Sequence, residues 1–165
     1  MPYKGLKYLV EADKELNRDK IQLLIAGKGP LTEELKNQAK GLSNITWLGR
    51  LSDEDINSYL LACDFFAFPS ITRNEAYGIS LAEALYFGKP AVTFMIPGSG
   101  VNWVNLDGVT GLEAPNCDAK ALAMNIKKLT EDEGLYKKLS AGALDRAKTY
   151  FTKDTYSKKV VEIFR

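Results

Sequence analysis

Glu75 and Glu83 lie eight positions apart in "NEAYGISLAEA" (Asn74 to Ala84), around a Tyr-Gly pair and at the head of a helix-forming run. The stretch sits between the apolar runs "DFFAFP" and "KPAVTF", so its helix is predicted to begin near Ile79, with Tyr77 and Gly78 completing the loop. Glu75 then stands at the rim of the loop and Glu83 one turn into the helix. The amides of Gly78 to Leu81 would have no intrahelical acceptors. The helix dipole adds about 0.3 to 1 kcal/mol for a bound negative charge, and about twice that when partly buried. Gly78 lets a phosphate reach the main chain without a Cβ in the way. The carboxylates repel phosphate, but an ionised carboxylate accepts hydrogen bonds from a vicinal diol, each worth roughly 1.5 to 3 kcal/mol when buried. An anion site flanked by diol-binding acids suits a ligand with phosphates in the middle and a sugar at each end. Taken alone, the same two residues are also what an ordinary acidic helix start carries.

The chain around them has 165 residues, 45% of them hydrophobic, which is enough for one core and one domain spanning 1–165. Lys+Arg of 22 against Asp+Glu of 21 gives a net charge of +1, so no global field favours nucleic acid or a charged membrane. His is absent, which removes imidazole bases, Ser-His and Cys-His dyads and the usual zinc sets. Cys63 and Cys117 have neither metal-ligand spacing nor a disulfide-scaffold count, and they read as free thiols in a reducing compartment. With no signal-peptide pattern and no apolar run of membrane-spanning length, the expected address is the cytoplasm.

Four short apolar runs have the character of doubly covered parallel strands: "KIQLLIAG" (20–27), "NITWLG" (44–49), "CDFFAFP" (63–69) and "KPAVTFM" (89–95). Helical patterns alternate with them, carried by Leu6, Leu9 and Val10, by Leu31 and Leu35, by Ile56, Tyr59 and Leu60, and by Ile79, Leu81, Ala82 and Leu85. The alternation predicts an α/β fold, a Rossmann-like parallel sheet with helices on both faces. "IPGSGVNWVNLDGVTG" reads as loop with one helical turn, at the carboxyl edge where open sheets bind ligands. From Asp118 onward only helices are expected, with their lysine-rich faces in solvent.

Two other motifs are weaker. "DED" (Asp53 to Asp55) resembles a metal-binding Asp-x-Asp, but it follows Ser52 and reads as a capped acidic first turn. "GKGP" lacks the third glycine of a dinucleotide fingerprint, whose place is taken by Thr32, so it reads as a loop facing the ligand, with a backbone-only role for Gly27 and Gly29 left open.

The Glu-x7-Glu segment, with its aromatic-Gly pair and "EA" followed by "GKP", resembles the signature of the family 4 (group 1) glycosyltransferases. "KGLKYLVEA", "LLIAGKGPLTEEL", "ITWLGRLSDEDINSYLLACDFFAFPS" and "DGVTGL" look like the same family's nucleotide-binding domain, in its order. The resemblance implies the carboxy-terminal half of a two-domain GT-B enzyme that transfers a hexose-type sugar from a nucleoside diphosphate with retained anomeric configuration. By that analogy Lys4 and Glu75 are the catalytic pair: Lys4 neutralises the diphosphate and Glu75 holds the donor sugar's hydroxyls. Glu83 holds the ribose, Tyr77 belongs to the donor loop, and amides near Gly78, Ile79 and Ser80 hold phosphate oxygens. The turn of Gly49, Arg50 and Leu51 borders the base, although Arg50 could instead pair with nearby acids such as Asp53. A lysine and a helix start can take the place of a metal ion at the leaving diphosphate, so no metal or cofactor is expected. The acceptor, a glycan or lipid-linked molecule, would dock on another domain, and the full-length enzyme could sit at the inner face of the membrane. Capsule, lipopolysaccharide or other polysaccharide synthesis matches the family's usual roles.

Two departures stand out. Ser99 and Asn102 fall where the family has a Gly-Gly loop leading to another acid, and here no acid follows until Asp107. The family also places a strand ending in Gly-Arg ahead of the Lys-Gly segment, where this sequence has only "MPY". That strand is central in the order 3-2-1-4-5-6. The expectation is therefore a truncated chain with Met1 an artificial start, inactive in transfer alone and prone to dimerise or rearrange. Its last helix pattern, Lys153 to Phe164 within 151–165, would cross to the other domain. The residues leave two further readings open, a non-catalytic nucleotide or sugar module and an α/β interaction domain. A glycoside hydrolase is disfavoured, since its acids flank one bond at about 5 to 9.5 Å.

Overall fold

A computed structural model describes residues 1–16 and 20–163. Among these residues five strands alternate with helices, and three helices close the order: α1 (Leu6–Asp13), β1 (Leu23–Ala26), α2 (Thr32–Gln38), β2 (Ile45–Gly49), α3 (Asp53–Ala62), β3 (Phe66–Phe68), α4 (Ile79–Tyr86), β4 (Ala91–Phe94), α5 (Val101–Val104), β5 (Gly111–Ala114), α6 (Ala119–Glu131), α7 (Glu133–Tyr150) and α8 (Lys153–Ile163). The α/β class is as expected, and every strand pair is parallel.

The strands form two sheets flanked by helices, β1-β2 and β3-β4-β5. Among the described residues no ladder joins β1 to β3. An unbridged interval separates these two edges. Two cavities, of about 810 and 720 Å³, lie there and share Leu9, Leu24, Ala26, Leu60, Phe66 and Ala67. Leu24 accordingly stays 38% exposed although it belongs to a strand.

β4 is the most enclosed strand, with all four residues buried. It pairs on both edges, and a continuous apolar run suits a strand covered on both faces. α4 packs on β3 and β4, α6 on β4 and β5, and α7 on α4. The main core joins Leu81 and Leu85 of α4, Val92 and Phe94 of β4, and Leu122 and Leu139 of α6 and α7. A smaller core under β1 holds Val10, Ile25, Leu35 and Ala39.

Two points differ from the sequence reading. β5 has no assignment in the sequence reading, whose loop ends at Gly111, because "GLEA" is four residues long and has no β-branched side chain. Its strand state comes from close approach: a Cβ at Gly111 would lie 2.0 Å from the carbonyl oxygen of Ala91 on β4. Leu31 stands at the N-cap of α2 rather than inside it. The final helix runs to Ile163 with Val161 53% exposed, and Phe164 lies outside the described residues. No helix among the described residues is long and apolar enough to cross a membrane. Cys63 and Cys117 are free thiols.

Candidate functional site

The carboxyl ends of the strands bring four loops together: Gly27 to Leu31 after β1, Arg50 after β2, Pro69 to Gly78 after β3, and Met95 to Gly100 after β4. The segment that opens the chain joins them from another direction. The N–H of Ile71 donates to the carbonyl of Tyr3 at 2.9 Å, which docks residues 3–5 on the end of β3. Gly5 makes this docking close. Its φ of +62° is left-handed, and a Cβ there would lie 1.9 Å from the carbonyl oxygen of Pro69.

That contact sets Lys4 beside Glu75. The Lys4 ammonium donates to Glu75 Oε2 in an ion pair, with the Glu75 side chain 12% exposed and that of Lys4 41%. Ser70, which is buried, donates from Oγ to the same oxygen at 3.2 Å. The ammonium also lies 5.3 Å from the centres of the Tyr3 and Phe68 rings, a cation-π arrangement. The carboxylate is thus held within the protein, while the lysine reaches solvent and could meet an anion.

α4 begins where the sequence placed it, at Ile79. Gly78 caps it with φ +82°, and a Cβ there would press at 3.1 Å on the Phe68 ring, so both conformation and space require glycine. Leu81, Ala82, Ala84 and Leu85 turn into the core. Ile79, Ser80 and Glu83 are left exposed, and Ile79 and Glu83, four residues apart, share a face.

The 720 Å³ cavity gathers Lys4, Gly27, Gly29, Ser70 and Ser80 along one wall system, together with Lys28, whose role the sequence did not suggest. Gly27 donates its N–H to the carbonyl of Gly49 at 2.6 Å, which ties the loop after β1 to the end of β2. Leu51 lines the neighbouring 810 Å³ cavity instead. Arg50 is exposed, and among the described residues no ion pair joins it to Asp53. Asp55 is engaged elsewhere. Its carboxylate accepts from the Ser52 N–H at 3.4 Å and its own N–H donates to Ser52 Oγ at 3.1 Å, a capping box that accounts for "DED".

Tyr77 departs from the cavity. Its ring packs against Trp103 and Phe151, each 6.0 Å away, and burial pushes its phenol up. Ser99, one of the positions where the sequence departs from the resemblance, donates from Oγ to the main-chain carbonyl of Glu75 at 2.6 Å. Asn102 fixes its own loop, accepting from the Ile96 N–H at 2.7 Å and donating to the carbonyl of Phe94 and to Glu113. The sequence signalled neither Ser70 nor Phe68 as part of the site; Ser70 is the residue after the Pro that closes β3. Glu75, Gly78, Ile79 and Glu83 do not line the cavity themselves; Glu75 adjoins it through its partners Lys4 and Ser70, and the start of α4 through Ser80. Chemically, the arrangement offers a cation at the cavity wall with a helix start and an enclosed carboxylate next to it, which suits charge neutralisation and hydroxyl binding.

Comparison with known proteins gives a consistent result. Residues 1–146 match the family described as "Glycosyl transferases group 1". The chain is 34% identical over 154 residues to O-antigen chain mannosyltransferase C of Escherichia coli, covering 92% of this chain and 40% of that protein. It is 37% identical over 152 residues to the D-rhamnosyltransferase WbpZ of Pseudomonas aeruginosa, covering 91% of this chain and 39% of that one. The chain therefore spans about two fifths of the length of the curated relatives it matches. Among solved structures, Anabaena Alr3699/HepE in complex with UDP superposes with a TM-score of 0.89 at 24% identity, over 99% of this chain and 46% of that one.

Proposed function

The chain belongs to the group 1 glycosyl transferases, and from that premise we propose that it is the donor-binding half of a family 4 enzyme that moves a hexose-type sugar from a nucleoside diphosphate with retained configuration. The observation that carries this reading is the Lys4–Glu75 pair, set beside the start of α4 and a cavity lined by Gly27, Gly29 and Ser80. A diphosphate entering this cleft would exchange its own charge for the Glu75 partner of Lys4. Released on that side, Glu75 would accept hydrogen bonds from the donor sugar, still anchored by Ser70. The first amides of α4 would receive phosphate oxygens and Glu83 the ribose hydroxyls. Bond cleavage leaves a nucleoside diphosphate, and fixed positive groups at that position lower the barrier without reorganisation.

In this reading no metal ion is required, and the acceptor, a glycan or lipid-linked molecule, docks on a domain outside residues 1–165. The whole enzyme works in the cytoplasm, at the inner face of the membrane where its acceptor is lipid-linked. The O-antigen relative supports a role in lipopolysaccharide or related surface polysaccharide synthesis. The chain by itself binds donor without transferring it, and the open edges of β1 and β3 offer a route to dimers. Equilibrium dialysis of a nucleoside diphosphate sugar against the chain, with and without a chelator, tests the site. Equal uptake in both supports the proposal, and uptake that needs a divalent ion contradicts it.

A further inference from the structure

We propose that residues 99–104, together with Arg146, form a positioning bracket that sets the reach of Glu75 toward the donor sugar without touching the donor. This rests on the donor-site reading above. The bracket grips the Glu75 loop at three consecutive residues. Ser99 Oγ donates to the Glu75 carbonyl at 2.6 Å, the Gly100 N–H donates to the Ala76 carbonyl at 3.0 Å, and the Trp103 ring packs on Tyr77. Gly100 admits no side chain, since a Cβ there would lie 2.2 Å from the Ala76 oxygen.

The other end of the bracket is fixed on α7. Arg146 donates from Nε to the Val104 carbonyl at 3.1 Å and from its terminal nitrogen to the carbonyl of Trp103. Its guanidinium lies 5.1 Å from the Trp103 ring and 5.6 Å from that of Phe151. Phe151 occupies the junction between α7 and α8 and also meets Tyr77, so the aromatic cluster links that junction to the residue two places after Glu75. Guanidinium stacking and donation to carbonyls at the end of α5 together hold one orientation of the short helix.

The bracket touches the main chain of Glu75 and Ala76 and the ring of Tyr77, and among the described contacts it does not reach Lys4, Ser80 or Glu83. Its loss should therefore affect what Glu75 holds and spare what the other groups hold. The test compares dissociation constants of a nucleoside diphosphate and of the matching nucleoside diphosphate sugar for wild type, Ser99→Ala, Ser99→Thr and Arg146→Met. The expected result is a five- to tenfold loss of sugar-nucleotide affinity in Ser99→Ala and Arg146→Met, with nucleoside diphosphate affinity within twofold of wild type and recovery in Ser99→Thr. A loss in Ser99→Ala without one in Arg146→Met would mean that the Ser99 hydroxyl meets the sugar itself, and would overturn the bracket. Equal losses for both ligands, or none, would overturn it too. A wild type that binds neither ligand would refute the donor site and the bracket with it, whereas a normal wild type with unaffected variants would refute the bracket alone.

Discussion

Lys4 and Glu75, 71 positions apart in the chain, meet as an ion pair at the end of β3, with Ser70 donating to the same carboxylate oxygen. Removing the cation leaves a mostly enclosed carboxylate with the Ser70 hydroxyl beside it. Lys4→Ala is expected to lower unfolding free energy by about 1 to 3 kcal/mol, the usual cost of stranding one member of such a pair. Adding Glu75→Gln should return part of the loss, because a neutral amide is less costly to enclose. Urea denaturation of the two single variants and the double variant measures the coupling.

Gly5 fixes where that lysine stands. Its Cβ-free approach to Pro69, at left-handed φ, has no counterpart at Gly41, which is also left-handed but has open space around it. Gly5→Ala should therefore cost several-fold more stability than Gly41→Ala, for which about 1 kcal/mol of backbone strain is expected. Thermal unfolding of the pair checks this, and comparable losses would contradict the packing account.

Much of this site was legible in the sequence because its cues are local. The Gly78–Ile79 helix start, the buried face of α4 and the Ser52 cap follow from residue type and spacing alone. The pairing of Lys4 with Glu75 was not legible from pattern, since two residues far apart in sequence meet only after Gly5 docks on Pro69. The packing of Tyr77 was hidden for a related reason. Its place beside Gly78 suggested the ligand, but Trp103 and Phe151 offer it an apolar seat, and the sequence gives no sign of that long-range cluster. β5 escaped notice because its strand state rests on the approach of Gly111 to Ala91 rather than on propensity.

Glu113 predicts a pH effect. Burial pushes its carboxyl up, Asn102 donating to it lowers it, and Asp107 nearby raises it, with burial the largest cause. The folded protein thus binds this proton more tightly than the unfolded chain. Stability contributed by the protonated form is present below the unfolded value and is lost as pH rises through the raised folded value. Glu113→Gln should flatten the fall in stability above the ordinary carboxylate range and leave the acid side nearly unchanged. Chemical denaturation at a series of pH values from acid to neutral reads this, and a parallel pair of curves would contradict it.

The central claim is that the start of α4 and its Glu83 receive a nucleoside diphosphate. Thermal unfolding with uridine, guanosine and adenosine diphosphates, in wild type and Glu83→Ala, tests it most directly. At ten times the dissociation constant, binding stabilises by about 1.4 kcal/mol, or roughly 3 to 6 °C for a domain of this size. The account predicts such a shift with one of the three bases and its loss in Glu83→Ala. A shift that survives Glu83→Ala undiminished, or no shift with any base, would contradict it.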